Sequence, residues 1–170
     1  MSTITTKSAP AGVWSLDPVH SSVSFEIAYA GVSTFRGTFG DFSATLADGV
    51  LEGSAEVGSV DVKDEQLNGH LQSPDFFDAE RFPEISFRTS DFERGELTIK
   101  GVTRSVELTG SISEPNVDPF GREKVGITLE TTIDRNDFGV SWNAPNQGGG
   151  NYLGDEVRII AELALVRQEN

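Results

Sequence analysis

The chain has 170 residues, with 27 Asp and Glu against 13 Lys and Arg, for a net charge of -14. Such acidity repels nucleic-acid phosphates and anionic lipid headgroups, which excludes direct nucleic-acid binding. Cysteine is absent, which removes disulfides, thiol nucleophiles and thiolate metal sites, while a 36% hydrophobic fraction suits one domain with a real core.

Residues 1–11 read as a flexible tail and residues 12–170 as a single domain. No apolar segment follows Lys7, so a cytoplasmic location is expected, or a periplasmic or secreted one if the chain is a mature form. The apolar run 159–166 is broken by Glu162 and is too short to span a bilayer, so stable membrane insertion is not expected.

Beyond Trp14 the hydrophobic period is two. Val23, Phe25 and Ile27 alternate with Ser22, Ser24 and Glu26, the pattern of a half-buried strand. Gly31 and Gly37 read as a linker, after which a run over 38–46 carries Phe39 and Phe42. Asp48-Gly49 is a hairpin signal leading to Leu51, Gly53, Ala55 and Val57 on one face. Past Gly58 the apolar positions slip to Val60 and Val62, which predicts a β-bulge there.

Residues 65–82 interrupt the strands as a short helical and aromatic insert. Residues 65–71 predict one or two helical turns, and Ser73-Pro74-Asp75 reads as a second helix start. Phe76, Phe77 and Phe82 then read as a plug over the open end of a β-structure. Pro83 restores extended chain, and strands follow at 84–89, 96–99, 102–113 and 125–133. In the irregular connection 134–154, Gly148-Gly149-Gly150 reads as a flexible link, because it lacks the Lys and strand-to-helix setting of a phosphate loop. Val157, Ile159, Ala161, Leu163 and Leu165 line the last strand. About eight strands with no long amphipathic helix predict an all-β antiparallel domain. Periodicity leaves sandwich and barrel open. A free, apolar last strand would invite aggregation, and pairing it with the first strand favours an eight-stranded antiparallel β-barrel.

The chemistry is sparse. His20 and His70 are the only neutral-pH bases, and they could meet at one end of the barrel, but neither has metal-ligand spacing, so structural roles and no metal are expected. No nucleophile elbow or patterned carboxylate pair is present, so no catalytic residue, no cofactor and no enzyme is expected. Arg135 is expected to pair with Asp17 within a set that also holds Asp134 and Asp137. Eleven phenylalanines exceed what turns require. They suit either a filled core or the wall of an apolar tunnel.

Five segments resemble the YceI-like family, in its order and over nearly the whole chain beyond residue 12. They are Trp14-Ser15-Leu16-Asp17-Pro18-Val19-His20-Ser21 with Val23 and Phe25; Gly37-Thr38-Phe39 with Phe42; His70-Leu71, Ser73 and Asp75-Phe76-Phe77-Asp78 with Pro83-Glu84-Ile85-Ser86-Phe87; Leu97-Thr98-Ile99-Lys100-Gly101-Val102-Thr103; and Ile133-Asp134-Arg135-Asn136-Asp137-Phe138-Gly139. The chain departs in having Gln72 where the family commonly has a basic residue. The resemblance implies a lipocalin-like barrel of bacterial type whose tunnel binds a polyisoprenoid or related lipid, of quinone or polyprenyl type, for transport or storage. Homodimers are common in the family, so a homodimer is an expected partner beside the hydrophobic small molecule. On this reading Phe25, Ile27, Phe39, Phe76, Phe77, Phe87, Ile99, Phe138 and Trp142 are candidate ligand-binding residues. Asp17, His20, His70 and Arg135 are the candidate polar rim. The alternative is a ligand-free, stress-associated or protein-interaction barrel, and an elongated apolar cavity distinguishes the two.

Overall fold

The computed structural model describes residues 9–144 and 152–168. Among them, one antiparallel sheet contains β1 (Val13–Leu16), β2 (Ser22–Tyr29), β3 (Ser33–Phe39), β4 (Phe42–Ala47), β5 (Val50–Glu56) and β6 (Val60–Asp61). After the helix α1 (Glu65–Gln72) come β7 (Glu84–Thr89), β8 (Arg94–Ile99), β9 (Val102–Glu107), β10 (Thr109–Ile112), β11 (Asn116–Val117), β12 (Glu123–Asp134) and β13 (Leu153–Arg167). Hydrogen-bonded neighbours run β6-β3-β2-β13-β1-β4-β5-β7-β8-β9, and β12 pairs with β13, β10 and β11.

The all-β antiparallel class expected from periodicity is the class observed, and the last strand pairs with the first as the barrel expectation required. Among the described residues the strand count is 13 rather than eight, and the hydrogen-bonded path is open, ending at β6 and β9. Breaks within single hydrophobic runs account for much of the difference. The run 102–113 divides at Leu108, whose N–H donates to Glu93 O at 2.9 Å instead of to a ladder. β9 then pairs with β8, and β10 with β12. The run 38–46 divides at Gly40 and Asp41, and Gly37 lies inside β3 rather than in a linker. Gly37 faces Phe25 across the β2–β3 ladder, and a Cβ there would strike the Phe25 ring. The glycine keeps the ladder intact and gives the aromatic a flat floor.

β13 organises the sheet. Its residues 157–162 pair with β2, 165–167 pair with β1, and its opposite edge follows β12 over 156–166. The last strand is therefore joined to the first, as edge protection requires. Its alternate residues Val157, Ile159, Ala161, Leu163 and Leu165 face the core, while outward Arg158 bridges Glu26 and Glu130 at 2.8 Å each. At the far end Trp14, Leu46, Leu51, Ile127 and Leu165 are almost wholly buried, and Trp14 Nε1 donates to Ala11 O. Apolar burial of this kind holds the end of the sheet shut.

Two local expectations are corrected. A 3-10 turn over Val57–Ser59, not a bulge, carries the one-residue slip between β5 and β6. Ser73 closes α1 rather than starting a second helix: its Oγ donates to His70 O at 2.6 Å and accepts from Asp75 N at 3.3 Å. The real helix start is Asp64, whose carboxylate accepts from Leu67 N. Turns then carry Phe76 and Phe77 inward.

Candidate functional site: an apolar cavity inside the sheet

The inward faces enclose a cavity of about 290 Å³. That lies near the lower end of small-molecule sites, which span roughly 300–1,000 Å³. β2 supplies Phe25 and Ile27, β3 supplies Phe39, β7 supplies Phe87 and β8 supplies Ile99. Phe76 and Phe77 come from the turns after α1, Phe138 from the 3-10 turn Arg135–Phe138, and Trp142 from the segment beyond it. All nine apolar residues singled out in the sequence line this one space. Phe35, Phe42, Ile85, Leu97, Ile159 and Ala161 line it too. Most of these fall two residues from a named or clearly inward residue on the same strand face, so alternation alone could have found them. Small side chains at Ala44, Gly53 and Ala161 leave the volume that the aromatics would otherwise fill.

An aromatic cluster stands at one end. The His70 ring meets Phe76 and Trp142 edge-on, at centroid distances of 5.0 and 4.7 Å, and its Nε2 lies 3.0 Å from Asp75 Oδ2. Lys100 Nζ donates to Pro74 O and Gly139 O, tying the insert to the turn that follows β12. Tyr29 and Tyr152, also in the wall, share a hydroxyl contact of 2.5 Å that holds the Tyr29 phenol above its ordinary pKa.

Arg135 is 4% exposed and lines the cavity. Its Nε donates to Gly154 O at 2.9 Å, and its Nη1 donates to Val140 O and Trp142 O at 2.8 Å each. Burial lowers its pKa, and Asp155 and Asp134 oppose that shift. Thr131 also belongs to the wall, and its buried Oγ1 has no hydrogen-bond partner among the described residues.

The expected Arg135–Asp17 pair does not form. Asp17 Oδ2 instead lies 2.7 Å from Lys124 Nζ and 2.8 Å from His20 Nδ1. The hydrogen bonds from Lys124 and His20 hold the Asp17 carboxyl well below the usual carboxylate range. Lys124 is the second residue of β12 and Arg135 follows its end, so roughly 35 Å of strand separates them. Asp17 and His20 are consequently not part of the cavity wall, whereas His70 and Arg135 are. The two histidines stand at opposite ends of β12 and do not meet. Among the described residues no group of three His, Cys, Asp or Glu side chains is placed to hold a metal. The segment Gly148-Gly149-Gly150 lies outside the described residues.

What this arrangement can do chemically is exclude water from a chain of carbon atoms. The YceI-like domain family matches residues 14–165. A UPF0312 protein of Staphylococcus aureus strain N315 is 31% identical over 163 residues, covering 87% of this chain and 94% of its own. A YceI protein of Campylobacter jejuni shares 25% identity and superposes with a TM-score of 0.65 over 81% of this chain and 88% of its own. A polyisoprenoid binding domain from Saccharophagus degradans, implicated in plant cell wall breakdown, shares the fold at a TM-score of 0.75 and 12% identity, over 91% of this chain and 98% of its own.

Proposed function

Since this chain belongs to the YceI-like family, we propose that its cavity binds the hydrocarbon chain of an isoprenoid lipid, of quinone or polyprenyl type, for carriage or storage. The observation that carries this reading is the wall itself: strand after strand presents carbon to a space that a filled barrel would not leave. Each CH₂ moved from water into such a space gains about 0.8 kcal/mol, so a few isoprene units supply useful affinity without charged contacts. The polyisoprenoid binding domain of the same fold supports the choice of lipid class. A binding role without catalysis fits the separation of His20 from His70.

Solvent extraction of protein purified from its native host, followed by mass spectrometry, tests the reading. A stoichiometric isoprenoid is expected, and a lipid-free protein that also ignores added prenyl compounds would sink it. Ala161→Phe supplies the matching variant. Its ring would occupy the space of at least two CH₂ groups, so affinity for a prenyl chain should fall about tenfold or more. Loss of binding with a retained fold is the expected pair of results.

A further inference from the structure

We propose that Arg135 receives an uncharged oxygen of the bound lipid's head group, a carbonyl or hydroxyl, and that this site refuses phosphorylated heads. The inference rests on the reading that the cavity holds an isoprenoid, and it names which kind. Arg135 is 4% exposed, lines the cavity, and spends Nε and Nη1 on the three backbone carbonyls of Gly154, Val140 and Trp142. Among the described residues none accepts from Nη2. An acceptor delivered by the ligand into this wall of carbon would meet the one guanidinium nitrogen that the backbone carbonyls leave unused.

The charge around the guanidinium decides which acceptor. Asp155 and Asp134 already place negative field on Arg135, and the whole chain carries -14. The neighbouring cation Lys100 donates to Pro74 O and Gly139 O, and Arg104 Nε donates to Asp137 O. A diphosphate would lose its hydration and meet a single unused nitrogen, Nη2, in the negative field of Asp155 and Asp134, an arrangement that disfavours a multiply charged anion. A neutral oxygen needs only the donor and carries no repulsion. The cluster of His70, Phe76 and Trp142 offers faces and edges against which a flat ring could lie beside that donor.

Three probes with the same farnesyl tail, titrated into the full chain, test the proposal: a farnesylated benzoquinone, the plain farnesyl hydrocarbon and farnesyl diphosphate. The quinone is expected to bind about tenfold tighter than the hydrocarbon or better, with its carbonyl infrared stretch shifted to lower frequency, and the diphosphate no tighter than the hydrocarbon. Arg135→Lys keeps a cation but loses the fork, and it should bring quinone and hydrocarbon within about threefold of each other. Should that variant fail to fold, the wild-type comparison and the infrared shift decide alone. Equal binding of quinone and hydrocarbon by the wild type would reduce Arg135 to a backbone brace and overturn the proposal. So would tightest binding of the diphosphate, or a quinone preference that survives in folded Arg135→Lys. Each of these leaves the lipid-binding cavity standing. Failure of all three probes would remove the cavity reading and this inference together.

Discussion

At the scale of single residues, two polar groups in an apolar wall behave oppositely. Arg135 satisfies most of its donors with carbonyls, whereas the Thr131 hydroxyl is buried without a partner among the described residues. An unsatisfied buried hydroxyl costs about 1–3 kcal/mol, and valine keeps the shape without the oxygen. Thr131→Val should therefore raise stability by about 1 kcal/mol in denaturant unfolding. A clear loss would mean that the hydroxyl has a partner after all. Arg135 also marks the reach of sequence reasoning. Its motif singled it out, and it lines the cavity, but its expected partner Asp17 lies a full strand away. Residue types announce that a charge needs company. They do not say how far the chain runs before turning, and Lys124, on the same strand as Arg135's neighbour Asp134, took Asp17 instead.

Elements were legible wherever one face is buried, because alternation at Val23, Phe25 and Ile27, or at Val157 through Leu165, has one physical meaning. The breaks were not. Nothing in the residues around Leu108 distinguishes a continuous strand from two strands that change partners there, since both bury the same side chains. Gly37 misled for a related reason: glycine signals a turn locally, but here it answers to the Phe25 ring across the ladder. β13 is the element on which most pairing depends. Leu165 in it is completely buried beside β1 and β12. Leu165→Ala should cost about 2–5 kcal/mol, read as a lower urea midpoint at unchanged slope. A loss below about 1 kcal/mol would show that this end of the sheet can collapse around the gap.

Over the whole molecule, the acid side of the stability curve follows from groups like Asp17. Its carboxyl titrates lower in the folded chain than the value near 3.9 of an unfolded aspartate. The unfolded chain therefore takes up the proton first on acidification. Stability from this group is present above about pH 4 and drains away as pH falls toward the folded value. Asp17→Asn should lose about 1–3 kcal/mol at pH 7 and show a shallower decline between pH 4 and pH 2 than the parent. Identical acid slopes would place the sensitivity elsewhere, with Asp118 and Glu26, also lowered by their partners, as the next groups to replace.

The pairing of β13 with β2 and β1 also governs how the protein is made. Phe25 waits for Ile159 and Trp14 waits for Arg167. At ordinary rates of translation that interval is on the order of ten seconds, during which β2 has β3 on one edge and nothing of its final neighbour on the other. The cavity thus takes its final shape only after β13 has left the ribosome. Until then its aromatic lining is open to whatever apolar molecule or chaperone reaches the nascent chain first.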